Sequence, residues 1–188
     1  EGGSGDDLLE GGEGADLLAG GAGMDTASYA SANSGVAVDL NNSDAQETGG
    51  AGIDTLQSIE NLIGSSFDDQ LTGDDSDNIL VGGAGDDELD GGLGADTVDY
   101  SDAASAVTVD LDDTRAQDTG GAGTDTLRDI ESLIGSGFND TLSTNTSGHS
   151  IYGGAGDDTI TVGDANTTID GGDGDDTIVV GDGNNTIH

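Results

Sequence analysis

The sequence predicts an all-β fold, a parallel β-solenoid of 18-residue coils joined by glycine-rich turns. Three observations carry this prediction: a nine-residue block recurs along the chain, its eighth position is aliphatic, and its sixth position is usually aspartate. Glycine supplies 36 of the 188 residues, while proline and cysteine are absent. Such a composition departs from that of an ordinary globular domain and is typical of a repeat architecture.

The nine-residue block reads Gly-Gly-x-Gly-x-Asp followed by three residues in its best copies. These copies begin at Gly2, Gly11, Gly20, Gly49, Gly82, Gly91, Gly120, Gly153 and Gly171. Weaker copies begin at Gly64, Gly73, Gly135, Thr144, Val162 and Val180. At the eighth position the fifteen copies carry Leu9, Leu18, Ala27, Leu56, Leu71, Leu80, Leu89, Val98, Leu127, Leu142, Ile151, Ile160, Ile169, Ile178 and Ile187. This regular placement argues against a flexible linker or a disordered acidic tract.

Each block has a simple physical interpretation. Two or three glycines within six residues indicate a tight turn with positive φ, a region that only glycine enters at low cost. One aliphatic residue between two polar ones indicates a short strand with a single inward side chain. Two blocks therefore make one coil with parallel strands on opposite sides. Stacked coils bury the aliphatic residues in a thin core.

The repeats are part of a larger tandem duplication. Residues 20–90 align with residues 91–161 without a gap and share 38 of 71 positions. We predict a single domain over 1–188 that contains these two units and a regular coil stack at 153–188. Because the first residue lies inside the repeating pattern, we expect the chain to be a segment of a longer protein.

Longer segments interrupt the blocks at Tyr29–Thr48 and Tyr100–Thr119. Within them, Val36–Leu40 and Val107–Leu111 alternate between apolar and polar residues, which indicates strands that continue the solenoid through a wider coil. The pattern leaves the register of these strands open.

Four side chains stand outside the regular positions. Asp39 and Asp110 lie in the alternating strands and are either additional cation ligands or solvated acids at strand ends. Phe67 and Phe138 replace the fourth-position glycine. We expect both phenylalanines to be buried as apolar plugs in irregular coils.

The charge pattern predicts bound calcium. The chain has a formal net charge of −38 and only two residues of Lys and Arg. Stacking places sixth-position aspartates above one another, and their mutual repulsion requires a cation between the coils. Oxygen ligands without nitrogen or sulfur select Ca²⁺ or Mg²⁺. A flexible turn with several carbonyls suits the six to eight ligands of Ca²⁺ better.

The predicted ligands are sixth-position aspartates and turn glycines, whose carbonyls would complete each shell. The clearest aspartate pairs, each 18 residues apart, are Asp7 with Asp25, Asp69 with Asp87, Asp140 with Asp158, and Asp158 with Asp176. The full predicted set is Gly2, Gly3, Gly5, Asp7, Gly12, Gly14, Asp16, Gly21, Gly23, Asp25, Gly50, Gly52, Asp54, Asp69, Gly83, Gly85, Asp87, Gly92, Gly94, Asp96, Gly121, Gly123, Asp125, Asp140, Gly154, Gly156, Asp158, Gly172, Gly174 and Asp176.

The composition also argues against several functions. Nucleic-acid binding through phosphates requires clustered Lys and Arg, but Arg115 and Arg128 are the only fixed cations. The negative charge disfavours an anionic membrane surface, and no apolar run is long enough to insert into a bilayer. The two histidines, His149 and His188, form no recognisable catalytic set. We therefore predict that the chain is not an enzyme.

These blocks resemble the RTX (repeats-in-toxin) calcium-binding nonapeptide, Gly-Gly-x-Gly-x-Asp-x-U-x, in which U is a large aliphatic residue. The runs Ser58–Gly64 and Asp129–Gly135 look like the longer insertions of RTX repeat regions. The resemblance implies a parallel β-roll with Ca²⁺ between adjacent turns on the same side. It also implies folding on export to a calcium-rich exterior, usually through type I secretion from bacteria.

The last coils depart from the pattern on one edge. The sixth positions of that edge are His149, Thr167 and Asn185, whereas the other edge keeps its aspartates. We expect calcium on the aspartate edge and weak or no calcium on the other, where Asn and Thr would cap turns through bonds to the backbone.

Two functions are consistent with these features, and both place the chain outside the cell. The first is a calcium-stiffened rod in a bacterial surface, adhesive or fibre protein, which self-associates end to end or contacts other surface proteins. The second is an accessory folding and secretion module of a secreted lipase, protease or epimerase. Binding of glycan or ice along the solenoid face is a minor third alternative.

Overall fold

The computed structural model describes all residues, 1–188, and contains strands and turns but no helix. The first twelve strands are β1 (Gly3–Ser4), β2 (Leu8–Leu9), β3 (Leu17–Ala19), β4 (Gly21–Ala22), β5 (Thr26–Ser28), β6 (Ala37–Asp39), β7 (Gln46–Gly49), β8 (Gly52–Gln57), β9 (Asn61–Ile63), β10 (Gln70–Thr72), β11 (Ile79–Val81) and β12 (Glu88–Asp90). The others are β13 (Thr97–Asp99), β14 (Thr108–Asp110), β15 (Gln117–Asp118), β16 (Thr124–Arg128), β17 (Ser132–Ile134), β18 (Thr141–Thr144), β19 (Ser150–Tyr152), β20 (Thr159–Val162), β21 (Thr168–Asp170), β22 (Thr177–Val180) and β23 (Thr186–Ile187).

One face of the solenoid is a continuous sheet of nine strands in the order β2-β5-β9-β11-β13-β17-β19-β21-β23. Every neighbouring pair in this sheet is parallel. In the regular coils the paired residues are 18 apart, as where Ile151 pairs with Ile169. The predicted all-β fold of parallel 18-residue coils is therefore confirmed.

The opposite face consists of three shorter sheets. Their orders are β3-β8-β7, β6-β10-β12-β16-β15 and β14-β18-β20-β22. The face is interrupted where a hairpin enters, because β7 pairs with β8, and β15 with β16, in antiparallel fashion. The two insertions thus add antiparallel strands to this face alone.

The insertions continue the solenoid through a wider coil, as predicted. Strand β6 pairs with β10, so that Val38 lies opposite Leu71, and β14 pairs with β18, so that Val109 lies opposite Leu142. The paired residues are 33 apart instead of 18, which supplies the register that the sequence pattern left open.

The core is the predicted column of eighth-position aliphatic side chains. Most members of the column are buried, while Leu9 and Ile178 are half-buried and Ile187 is 49% exposed in the outermost coils. Leu62 and Leu133 complete the column in coils where the nine-residue pattern is broken. Tyr29 and Tyr100, at the start of each insertion, are also buried against it.

The prediction that the two phenylalanines are buried plugs is wrong. Phe67 is 44% exposed and Phe138 is 46% exposed. Each lies in a turn at the edge of the solenoid, where the inward space is already filled by the aliphatic column. A side chain at the fourth position of the block therefore extends toward solvent.

Candidate metal centre

The glycine-rich turns stack directly on one another along both edges of the solenoid. Gly172 has φ +92° and Gly174 has φ +149°, so both adopt conformations that favour glycine. A Cβ on Gly174 would lie 1.8 Å from the carbonyl oxygen of Gly156 in the turn below. A stacked glycine of this kind is thus needed for two reasons, since it sets the turn and allows one turn to approach the carbonyls of the other. Gly3, Gly5 and Gly12 have positive φ but meet nothing within 4 Å at the Cβ position.

The turns at Gly49–Asp54 and Gly120–Asp125 differ from the others. Here the first and fourth glycines have positive φ, and the second glycines, Gly50 and Gly121, do not. A Cβ on Gly50 or Gly121 would lie within 2.1 Å of a carbonyl oxygen of the preceding insertion. These two predicted positions therefore contact the insertions and not a turn of the regular stack.

The sixth-position acids form ladders of hydrogen bonds from coil to coil. The backbone N–H of Asp140 donates to Oδ1 of Asp158 at 2.8 Å, and the N–H of Asp158 donates to Oδ1 of Asp176 at 3.0 Å. The same bond joins Asp7 to Asp25, Asp16 to Asp54, Asp69 to Asp87, and Asp87 to Asp125. One carboxylate oxygen of each upper aspartate is therefore occupied by the coil below.

The second carboxylate oxygen, Oδ2, lies close to the first glycine of the same turn. A Cβ on Gly82 would lie 2.3 Å from Oδ2 of Asp87, which explains why the first position is glycine as well. In six turns this oxygen is buried and receives no hydrogen bond from the protein; the six residues are Asp7, Asp16, Asp25, Asp87, Asp96 and Asp158. A buried carboxylate oxygen without a donor is unfavourable unless a cation neutralises it.

The same oxygen is occupied in two serine-containing turns. The backbone N–H of Ser65 donates to Oδ2 of Asp69 at 2.5 Å, and Ser136 donates to Asp140 in the same way. Each serine hydroxyl also donates to Oδ1 of its aspartate. Serine replaces the second glycine in both turns, which therefore satisfy their aspartate internally.

At two other aspartates, side chains of the insertions donate hydrogen bonds to the second carboxylate oxygen, Oδ2. The Tyr100 hydroxyl donates to Oδ2 of Asp125 at 3.0 Å, and Thr119 donates to the same oxygen at 3.1 Å. In the first unit, Thr48 donates to Oδ2 of Asp54 at 3.2 Å. Ten of the eleven predicted aspartates thus fall into two groups, those with a free buried oxygen and those satisfied by the protein, while Asp176 in the outermost turn is partly exposed.

Burial strongly disfavours the charged form of several of these aspartates. It raises the pKa of Asp87 to about 7 and that of Asp96 to about 6, against opposing backbone hydrogen bonds and with a further contribution from neighbouring carboxylates. Burial also raises the pKa of Asp69, Asp125 and Asp158. Removing these carboxylates from water without a positive partner is the physical cause.

The protein offers no cation of its own to these sites. Arg115 pairs with Asp113 at 2.8 Å, and Arg128 lies 3.8 Å from Glu88, both on the surface. No group of three or more His, Cys, Asp or Glu side chains converges on one point. Oδ2 of Asp158 and the carbonyl oxygen of Gly171 nevertheless lie together beside Gly153, 2.4 Å and 2.3 Å from its Cβ position. Such oxygen donors fit Ca²⁺, whose shell further carbonyls and water would complete.

The remaining candidates lie elsewhere. Oδ1 of Asp39 accepts the N–H of Asn41, and Oδ1 of Asp110 accepts that of Asp112, so both acids close turns at strand ends. On the second edge of the last coils, the N–H of Thr167 donates to Oδ1 of Asn185 at 3.0 Å. This edge offers no sixth-position carboxylate. The Asn185 side chain caps a turn as expected, whereas the buried hydroxyl of Thr167 has no hydrogen-bond partner, so the expected cap by Thr167 is wrong.

Sequence reasoning missed two acids that take part in the ladder. Oε2 of Glu60 accepts the N–H of Asp25 at 2.8 Å, and Oε2 of Glu131 accepts that of Asp96 at 2.9 Å. Both glutamates lie in runs that were interpreted as insertions. The signal that would have revealed them is the aliphatic residue two positions later, which marks each run as a shortened block.

The fold and the turns define a class of protein, a parallel β-roll whose turns are lined by oxygen ligands. The sequence model of the RTX calcium-binding nonapeptide repeat family matches residues 1–27, 63–98, 134–169 and 152–187. Because these matches cover more than half of the chain, the chain belongs to the RTX calcium-binding repeat family. It is a calcium-binding repeat segment of the kind typical of secreted proteins. A search of curated proteins found no match.

The structure contains no helix of the length and apolarity required to span a membrane.

Proposed function

We propose that the chain is a secreted segment that folds on binding Ca²⁺ outside the cell and forms a rigid rod of a bacterial surface, adhesive or fibre protein. The observation that carries the proposal is the set of six buried carboxylate oxygens without a donor, all in glycine-rich turns. Four of these six aspartates donate their backbone N–H to the carboxylate of an aspartate in the turn above, in the pairs Asp7 with Asp25, Asp16 with Asp54, Asp87 with Asp125, and Asp158 with Asp176.

The negative charge and the small core together favour folding that depends on calcium. With a net charge of −38 and a core one side chain thick, the chain without cations is expected to be expanded. Calcium that binds only the folded chain adds about 2.7 kcal/mol per site when its concentration is 100 times Kd. Several such sites make folding steep in calcium, so the chain stays unfolded at cytosolic calcium and folds outside.

The rod function is favoured by the extent of the solenoid. One sheet of nine strands runs through all the coils, and the insertions pair with the coils instead of forming a separate domain. The alternative is an accessory module that assists folding and secretion of an enzyme elsewhere in the same protein. A catalytic domain in the full-length protein would favour this alternative.

Self-association end to end is part of the proposal. A stack of parallel coils presents unpaired strand edges wherever the stack ends. Strand edges that lack a neighbour pair readily with a second chain. Sedimentation of the segment in calcium should therefore show association that increases with protein concentration, and a concentration-independent monomer would contradict it.

Far-UV circular dichroism with calcium and with excess chelator tests the central proposal. We expect a β spectrum in calcium and a disordered spectrum in chelator, with cooperative recovery when calcium is restored. Calorimetric titration should show several ions bound per chain. A β spectrum that is unchanged by chelator, or the absence of calcium binding, would overturn the proposal.

A further inference from the structure

Each unit contains one block that has lost half of its turn. In the first unit, Asn61–Ile63 pairs with Thr26–Ser28 on one side and with the next coil on the other, as strands of complete blocks do. Only Ser58, Ile59 and Glu60 precede this strand, where a complete block has six turn residues. Asp129, Ile130 and Glu131 precede the corresponding strand of the second unit.

The first residue of the short turn takes the place of a first-position glycine. Ser58 has φ +51° and Asp129 has φ +50°, the only residues other than glycine with positive φ. The N–H of Gly20 donates to the carbonyl of the residue before Ser58, and the N–H of Gly91 does the same before Asp129. Each short turn thus bonds to the coil below at its beginning as a complete turn does, although its positive φ matches the irregular turns at Gly49 and Gly120 and not the first glycine of a regular turn.

The glutamate takes the place of the sixth-position aspartate. Its Oε2 accepts the N–H of the aspartate one coil below, which is the bond that Asp25 accepts from Asp7. Glutamate has one more methylene than aspartate, and its turn is three residues shorter than a complete one. The longer side chain allows the carboxylate to reach the same point in the ladder.

The turns below the two glutamates hold unpartnered carboxylate oxygens. Asp25 and Asp96 are fully buried, and Oδ2 of each receives no hydrogen bond. The Cβ position of Gly20 lies 2.2 Å from the Ser58 carbonyl oxygen and 2.4 Å from Oδ2 of Asp25. Two acceptor oxygens therefore converge beside the glutamate with no donor between them.

The second unit repeats this convergence. The Cβ position of Gly91 lies 2.2 Å from the Asp129 carbonyl oxygen and 2.7 Å from Oδ2 of Asp96. The arrangement recurs in both units of the tandem duplication, where the glutamate is identical although the first residue of the short turn differs. A role in backbone hydrogen bonding alone would explain why Glu60 and Glu131 occupy these positions. It would leave the second carboxylate oxygen, Oδ2, of Asp25 and Asp96 without a partner.

We propose that Asp25 with Glu60, and Asp96 with Glu131, form two additional calcium sites, each completed by the carbonyl of Ser58 or Asp129 and by water. The inference rests on the proposed calcium binding and extends it to turns that lack the nonapeptide motif. Ser58 and Asp129 are exposed and the two glutamates are partly exposed, so water can reach each site from the side of the short turn. Ca²⁺ accepts water in such positions.

The experiment measures the number of calcium ions bound by the whole chain, by titration calorimetry and by equilibrium dialysis. The variants are Glu60→Gln, Glu131→Gln and the double variant, since glutamine keeps the oxygen that accepts the aspartate N–H but removes the charge. Glu47→Gln, in an exposed position of the β7 hairpin, is the matched control for the loss of one charge. We expect each single variant to lose one ion, the double variant two, and the control none.

A second variant separates ligation from net charge. Glu60→Asp keeps the charge but shortens the side chain by one methylene, and we expect it to lose one ion as well. Circular dichroism in excess calcium shows that each variant is folded when its ions are counted. A double variant that binds as many ions as the wild type overturns this inference and leaves the proposed function standing. A wild-type chain that binds no calcium overturns both.

Discussion

At the scale of single residues, stacked glycines and unstacked glycines should differ in what they tolerate. Gly172 and Gly3 are both second-position glycines with positive φ, at +92° and +109°. A Cβ on Gly172 would lie 2.0 Å from the carbonyl oxygen of Gly154, whereas a Cβ on Gly3 meets nothing within 4 Å. We expect Gly3→Ala to cost about 1–2 kcal/mol through backbone strain and Gly172→Ala clearly more, through strain and a backbone clash.

Thermal unfolding in saturating calcium measures this difference. Gly137→Ala is the neutral control, because Gly137 has no positive φ and open space at its Cβ position. It should change stability by no more than about 0.5 kcal/mol. Equal losses in Gly172→Ala and Gly3→Ala would show that stacking of carbonyls on glycine does not limit this position.

Tyr100 should stabilise the fold by satisfying an aspartate that would otherwise need a cation. Tyr100→Phe removes the hydroxyl that donates to Oδ2 of Asp125, although Thr119 still donates to that oxygen. We expect a loss of about 0.5–1.5 kcal/mol, the usual net contribution of one hydrogen bond. Tyr152→Phe is the control, since Tyr152 is 41% exposed. Equal unfolding temperatures for the two variants would contradict the role of Tyr100.

The roles of individual residues were predictable from the sequence where they depend on the local backbone conformation. The positions of the turn glycines and of the sixth-position acids followed from the repeat alone, because each turn imposes its own φ values. The pairing of Tyr100 with Asp125 was not predictable, since the two residues are 25 apart and meet only after the insertion has folded. The exposure of Phe67 was also missed, because its type suggested burial while its turn position points outward.

At the scale of the turns, the stability of the metal-free fold should depend on pH in a defined direction. Burial raises the pKa of Asp87 to about 7 and of Asp96 to about 6 in the folded chain, above the ordinary value near 3.8. The folded state thus binds protons more tightly than the unfolded state. This contribution to stability is complete below about pH 4 and is lost as pH rises through about 6 to 7.

Calcium should invert this dependence, because it binds the deprotonated carboxylates. In chelator, we expect more β structure at pH 5 than at pH 8 by circular dichroism. In calcium, we expect the apparent affinity to fall as pH decreases below about 7, and proton release on binding should be larger at pH 6 than at pH 8. Calcium affinity that is constant from pH 8 to pH 5 would show that these aspartates do not bind the ion.

At the scale of strands, the regular coils were predictable and the insertions only in part. A period of nine fixes a pairing distance of 18, as seen for Leu142 and Ile160. Strands within or on either side of an insertion pair residues that are 33, 35 or 38 apart in sequence. The pairs are Val38 with Leu71, Ala27 with Leu62, and Leu89 with Leu127. These distances depend on which existing strand each segment meets, and no local pattern encodes that choice.

At the scale of the whole molecule, two explanations of calcium-dependent folding make different predictions. If calcium acts only by screening a net charge of −38, concentrated monovalent salt should replace it, because 1 M salt reduces the Debye length to about 3 Å. If calcium is a ligand of the six buried oxygens, screening cannot substitute, because those oxygens lack a partner at any ionic strength.

We therefore expect 1 M NaCl to compact the chelated chain without folding it, while millimolar CaCl₂ at low salt folds it fully. Small-angle scattering should show a reduced radius of gyration in NaCl, and circular dichroism in the same sample should remain that of a disordered chain. MgCl₂ at the calcium concentration is the control for divalent screening, and it should fold the chain far less, since Mg²⁺ requires a rigid octahedral site and retains its water. Full β structure in NaCl alone would show that charge repulsion, and not ligation between coils, keeps the chain unfolded.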